Sequence, residues 1–451
     1  MKNSWTQILR SASLRKKIGL TLGLIVIYKL LSVIPVPGVS TDSLESMRKV
    51  FSGQPGLAFF SSLMGGSLER FSIILMGLSP YINASIILQL LSVVIPKLEE
   101  IKKEGAQGQK KINTYTRILT VPLAFVQSYG MILLLNSLVQ GAPVVDTSDW
   151  GNLLSMMTII TAGTIFLMWL GEQINEAGIG NGISIIIFAG VLADVPGRIA
   201  TQLSNVVWTG SINTILAQIL PFIALVIATL IVIYIIIRFR EGYRRIPLVY
   251  TRTGRDERSY FPIRINQAGM VPIIFAMSLV TFPYIIGQAI SLRSAGMPEF
   301  VRSAANLMVQ LFNPNAPTWW FVGIFVVLVI SFSYFYLSIT FDTKEISEGI
   351  QKRGGYIPGI RPGRQTADYL RHVSNHLNFF GGTFIALIAV FPYVATLVNN
   401  SLKANNIPAL DIAHIDFLIS GSGLIIVVGV VLEILRRFKA ESQAYDYKRF
   451  F

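Results

Sequence analysis

The chain has 451 residues, of which 52% are hydrophobic and only 14% charged, with a mean hydropathy of +0.57 and a net charge of +14. Soluble domains carry about 25% charged residues, so a surface facing water on all sides is excluded, and so is disorder. Cysteine is absent and the histidines are His372, His376 and His414, which excludes a disulfide framework or thiolate nucleophile and disfavours a histidine metal centre.

Apolar runs of about 20 residues, the length that crosses a bilayer core of roughly 30 Å, predict an all-α membrane protein with ten transmembrane helices. A basic arm, residues 1–17, precedes the first span at Ile18–Ile34, which stops at Ile34-Pro35-Val36-Pro37-Gly38. This run is too long for the apolar part of a secretory signal and lacks a small-residue cleavage site, so it is expected to be retained. Residues 59–72, from Phe59 to Ser72, are too short and polar to span and read as a re-entrant or interfacial segment. The next four spans are expected at Ile73–Ile95, Ile118–Val139, Leu153–Leu170 and Ile183–Leu203. Asp194 and Arg198 interrupt the last of these, at a spacing that lets them pair on one helical face. A polar hinge, 204–213, then separates two sets of five. The second set falls at Thr214–Ile237, Asn266–Ile290, Trp319–Phe341, Leu377–Leu397 and Phe417–Leu435, followed by a tail, 436–451. Because five is odd, any likeness between the halves 18–203 and 214–435 has inverted topology, an arrangement common among transport proteins.

The charges orient the spans. Of the 38 Lys and Arg residues, 29 fall on the side that holds both termini, 6 on the other, and Lys29, Arg117 and Arg198 within spans. This asymmetry predicts cytoplasmic termini. Eight arginines and no lysine lie between Arg238 and Arg264. Guanidinium suits bidentate contact with phosphate or carboxylate, so the loop 238–265 reads as a docking arm for nucleic acid or an acidic protein as well as a topology determinant. Inside the spans no paired carboxylates, metal motif or nucleophile elbow occurs, which disfavours an intramembrane enzyme or a proton-driven porter. The glycine-rich stretch Gly178-Ile179-Gly180-Asn181-Gly182 follows no strand and is not expected to cradle phosphate.

Several stretches together resemble the SecY family of protein-conducting channels. They are Gly171-Glu-Gln-Ile-Asn-Glu-Ala-Gly-Ile-Gly-Asn-Gly-Ile-Ser-Ile-Ile-Ile-Phe-Ala-Gly190, then Ser79-Pro80-Tyr81-Ile82-Asn83-Ala84-Ser85-Ile86-Ile87 with Glu100 to Gly105, and Pro358-Gly359-Ile360-Arg361-Pro362-Gly363. Ile34 to Gly38, Asn266-Gln267-Ala268-Gly269 with Pro272, and Arg244-Arg245-Ile246 add to them. The resemblance runs from about residue 15 to residue 437. It departs at Ser420-Gly421-Ser422-Gly423, where bacterial members have a different start to the tenth span, and in the charged tail.

The resemblance implies a pore that is closed at its waist by aliphatic side chains, matched here by Leu78, Ile82, Ile183, Ile187, Ile274 and Ile426. A dewetted apolar constriction blocks ions yet can close around a passing polypeptide. Any one of these residues taken singly would by default pack or face lipid. The short polar segment becomes a plug helix at 59–72, with Phe60, Leu63, Gly65, Gly66, Leu68 and Arg70. Gln127 and Ser278 match polar positions of a lateral gate between spans two and three and spans seven and eight, or are independent helix contacts. Arg244, Arg245, Arg255, Arg258 and Arg361 match docking positions in the loops 238–265 and 342–376. The implied partners are SecE-like and SecG-like small membrane subunits, the SecA motor ATPase, the ribosome with its ribosomal RNA, unfolded preprotein substrates and membrane lipids, in a bacterial plasma membrane. No cofactor and no metal are implied. The rival reading is a ten-span transporter of small solutes.

Overall fold

The computed structural model describes residues 12–39, 44–47, 68, 70–138, 144–146, 149–178, 180–193, 195–204, 212–252, 255–292, 298–314, 316–404 and 421–450. The chain is mostly helical. Among the described residues, six helices are long and apolar enough to cross a membrane, and the bent pair Ser79–Val94 and Pro96–Lys103 makes a seventh if counted as one span. The residues form two compact units, one of 1–222, 278–321 and 418–451, the other of 223–277 and 322–417. The first therefore draws on both halves of the sequence, and the second on the later half alone.

In the first unit, α1 (Ala12–Leu31) ends ahead of Pro35 and Pro37, as expected from their blocked helical geometry. The following strand-like turn pairs with a segment far along the chain. The Val36 amide donates to the Phe71 carbonyl at 2.9 Å and the Ile73 amide to the Ile34 carbonyl at 3.0 Å, around a bridge between Pro35 and Ser72. Irregular backbone in an apolar setting has to be satisfied by protein partners, and here each irregular segment satisfies the other. Residues 70–78 are consequently turns, so the expected span at Ile73–Ile95 is helical only in α2 (Ser79–Val94).

Pro96 breaks this span. The chain bends by 102° into the charged helix α3 (Pro96–Lys103), which takes the polar sequence away from the apolar one. Then come α4 (Ala106–Leu138) and α5 (Trp150–Ala177), whose N-terminus is capped by Asp149. In the expected fifth span the described residues are helical as α6 (Gly182–Ala193) and α7 (Val195–Ser204), on either side of residue 194. The Asp194–Arg198 pair lies outside the described residues. The unit's main core joins Leu68, Phe71, Leu75 and Met76 to Met131 and Leu135 of α4, Met156 and Ile160 of α5, and Tyr284.

The second unit contains the loops read as docking arms, and they are not loops. Helix α8 (Ile212–Glu241) overruns its expected end and leads into the antiparallel hairpin β1 (Tyr243–Arg252) and β2 (Arg255–Arg264). Its register runs from Tyr243 opposite Arg264 to Arg252 opposite Arg255. Along the chain come α9 (Val271–Leu292) and α10 (Glu299–Phe312), which from residue 278 belong to the first unit, and α11 (Trp319–Thr340), which from residue 322 belongs to the second. Next, α12 (Thr343–Lys352), capped by the Asp342 carboxylate, leads to β3 (Gly355–Tyr356), which adds to the free edge of β1. Helix α13 (Arg364–Ala404) and, in the first unit, α14 (Gly421–Phe450) complete the chain. Ile246 and Leu248 of β1 and Ile263 of β2 bury one sheet face against Ile350, Ile357, Leu370 and Val373. The two arginine-bearing loops are thus one folded module with its own core.

Candidate pore ring, gate and docking surface

The glycine-rich signature is a tight helix–turn–helix. Gly178 ends α5 in the left-handed region at φ +81°, which a side chain would strain. The Asn175 side chain accepts from the Gly182 amide at 2.7 Å, and Asn181 accepts from the Ile183 amide at 3.1 Å, capping α6. A Cβ on Gly182 would stand 1.8 Å from the Gly171 carbonyl oxygen, so α6 folds back in direct backbone contact with α5. Ile183 and Ile187 are held on this short, doubly fastened helix. Ile187 is buried and Ile183 half-buried. Helix α6 packs on α5 and α14, and α14 carries the buried Ile426.

Leu78 sits at the N-cap of α2 and is buried, and Ile82, one turn on, is half-buried. Gly163 of α5 seats the segment leading to them, since a Cβ there would lie 2.2 Å from the Ile73 carbonyl oxygen. In the second unit Ile274 is half-buried in the first turn of α9. All six aliphatic candidates therefore lie within the first two turns of a helix. Arg117 joins α4 to α5 through Glu172 at 2.6 Å, with both groups partly exposed, and Arg437 approaches Glu433 at 3.7 Å.

Of the plug candidates, Phe60, Leu63, Gly65 and Gly66 lie outside the described residues. Leu68 is buried in the core of the first unit, and Arg70 is exposed. The gate candidates fall on helices that touch: a Cβ on Gly130 of α4 would meet Ile285 of α9 at 2.8 Å. Gln127 shares a face of α4 with Gly130, and Ser278 shares a face of α9 with Ile285. Gln127 is buried and its Oε1 has no hydrogen-bond partner, a cost of about 1–3 kcal/mol for a closed seam.

On the sheet module Arg244 and Arg245 are exposed. Arg245 lies over the rings of Tyr243 and Tyr260, 5.2 and 5.0 Å from their centroids, and donates to the Tyr243 hydroxyl at 2.9 Å. That hydrogen bond holds its pKa above the ordinary arginine value. Arg255 and Arg258 stand on β2 opposite Arg252 and Val249. Arg361 is exposed on a turn between Gly359 at φ +84° and Gly363 at φ +94°. Two hydroxyls pin that turn: Thr366 donates to the Arg361 carbonyl at 3.0 Å and Ser347 to the Gly363 carbonyl at 2.7 Å. The Asn caps were readable beforehand from Asn181 preceding an apolar run. The close approaches at Gly163 and Gly182 and the Tyr243–Arg245–Tyr260 stack have no local sequence signal.

Comparison with known proteins agrees with this geometry. The family described as SecY matches residues 72–435. The protein translocase subunit SecY of Staphylococcus carnosus (strain TM300) is 34% identical over 462 aligned positions, covering 100% of this chain and 99% of that protein. A solved structure described as that of a protein conducting channel superposes with a TM-score of 0.64 at 19% identity, covering 94% of this chain and 92% of the other. Sec61 in a canine ribosome–channel complex from the endoplasmic reticulum superposes at 0.60, also with 19% identity and the same coverage. A multi-pass apolar bundle, a fastened helix–turn–helix where the signature lies, and a full-length relative at this identity lead to one conclusion: the chain belongs to the SecY family.

Proposed function

We propose that this chain is the channel subunit that passes unfolded secretory polypeptides across a bacterial plasma membrane and releases hydrophobic helices sideways into the bilayer. It has ten spans in two inverted halves, 18–203 and 214–435, with both termini cytoplasmic. Leu78, Ile82, Ile183, Ile187, Ile274 and Ile426 form its constriction, and residues 59–72 plug it from the far side. Helices α4 and α9 part to open the seam at Gln127 and Ser278. Force comes from partners, a motor ATPase or the ribosome, which grip the module bearing Arg244, Arg245, Arg255, Arg258 and Arg361. SecE-like and SecG-like subunits brace the bundle, and the chain itself does no bond chemistry.

The observation that carries this reading is the placement of the aliphatic candidates. They sit at the starts of helices, and the helix bearing Ile183 and Ile187 is fixed by backbone contact and side-chain capping. Such a constriction stays dry without charged groups. Ribosome docking is supported by the fold shared with Sec61 and by the exposed Arg244, Arg245 and Arg361. The test is resting conductance in reconstituted bilayers. Ile187→Asn wets the constriction, and removal of residues 59–72 unplugs it, so both variants should raise ion leak well above that of the unchanged chain. Unchanged conductance in both overturns the pore assignment.

A further inference from the structure

Helix α10, Glu299–Phe312, leaves the end of α9 remote from the sheet and leads into α11. At about 100° per residue its side chains sort into three sectors. Glu299, Arg302, Ser303, Asn306 and Gln310 make a polar one. Val301, Ala305, Met308, Val309 and Phe312 make a second, which faces protein. Ala305 is buried, a Cβ on Gly287 of α9 would stand 2.9 Å from the Ala305 carbonyl oxygen and from Met308 Cβ, and Val309 and Phe312 pack on the core of the first unit. The third sector, Phe300, Ala304, Leu307 and Leu311, is as apolar as the second but open at its larger side chains: Phe300 is 82% exposed and Leu307 56%, with Ala304 and Leu311 half-buried.

Seven residues after Phe312, α11 opens with Trp319 and Trp320, 60% and 75% exposed, beside the fully buried Phe321. Helix α9 carries an exposed apolar stripe of its own at Leu279, Phe282 and Ile286. A helix flanked in sequence by two bilayer-spanning helices, needing water on one face and hydrocarbon on another within its own diameter of about 10 Å, finds both only at a lipid–water interface. Exposed indoles at a span's start mark that same level.

We propose that α10 lies flat in the headgroup layer at this end of the bundle, with Phe300 and Leu307 in the acyl boundary and Trp319 and Trp320 anchoring beside it. The occupant of the third sector is lipid. Because the second sector grips α9 at Gly287, lipid packing at this interface bears on the helix that carries Ser278. The inference requires only that the chain spans a membrane, so it can stand if the channel reading fails.

The absence of cysteine makes the test direct, since single nitroxides can be attached without removing native thiols. The full chain is placed in vesicles of phosphatidylethanolamine and phosphatidylglycerol, labelled after Phe300→Cys, Leu307→Cys, Arg302→Cys or Gln310→Cys. Power saturation then compares collisions with oxygen and with a water-soluble nickel complex. Labels at 300 and 307 should favour oxygen several-fold, and labels at 302 and 310 should favour nickel. Equal nickel access at 300 and 302 means a helix in water and overturns the proposal. Exclusion of both reagents at 300 and 307 means a covering protein and overturns it too. If a label disturbs folding, quenching by lipids brominated near the acyl boundary reads the anchors in the otherwise unchanged chain. Replacing both by Trp319→Phe and Trp320→Phe should remove a measurable share of that quenching, and no change counts against the anchoring.

Discussion

Gly182 illustrates how much a single missing side chain decides. An added methyl would stand 1.8 Å from backbone oxygen, which no rotamer change relieves, so α6 must shift against α5. Gly182→Ala is expected to cost about 1–3 kcal/mol, as overpacked sites do. It should lower the melting temperature in detergent and raise resting leak by displacing Ile183 and Ile187. Gly323→Ala in α11, where nothing lies within 4 Å, serves as the control and should be neutral or slightly stabilising. The motif containing Gly182 was recognisable in the sequence, yet the reason for its glycine is a contact eleven residues back that only the folded turn creates. Arg117 shows the same limit. From sequence it was a cation near a span end with room to snorkel, and in the fold it bonds Glu172 of the signature itself.

Among elements, the sheet module is the largest departure from expectation. The alternation Ile246, Leu248, Tyr250 in β1 and Phe261, Ile263 in β2 carries a strand period of two, but the arginines around them make the stretch look like a solvated arm. Tertiary packing against α12 and α13 converts it into a rigid platform. Leu370, fully buried beneath the sheet, should cost about 2–5 kcal/mol when cut to alanine. Leu370→Ala should therefore make the sheet module more susceptible to protease and weaken partner docking while resting conductance stays unchanged. Arg361→Glu is an exposed change on the pinned turn and should leave protease resistance intact. It should nevertheless impair motor-driven export more than it impairs membrane insertion of the channel. Equal loss of both activities would mean that the module, and not the charge, has failed.

At the scale of the whole molecule, orientation is the testable consequence of the charge count. Arg361→Cys and Ser303→Cys place thiols on the sheet module and on the polar sector of α10, in a chain with no other cysteine. In oriented vesicles an impermeant thiol reagent should modify the first only from the cytoplasmic side and the second only from the outer side. Modification of both from one side would refute the topology. The two compact units also belong to this scale. The halves visible in sequence are contiguous, whereas the first unit gathers helices from both, because α14 packs on α6 and the end of α9 packs on α4.

The sequence by itself determined the properties that follow from composition and local pattern: a multi-pass membrane protein with several apolar helices, and the motifs that resemble the SecY family. Those are sums over neighbours along the chain, and transfer of apolar segments into lipid depends on little else. Only the tertiary structure decided that the helix of span two starts at Ser79 after an irregular segment, and that two loops share one sheet. It also decided that α10 keeps an apolar face uncovered. Each of these depends on a backbone group or side chain finding a partner tens or hundreds of residues away, and such pairings leave no trace in the order of nearby residues.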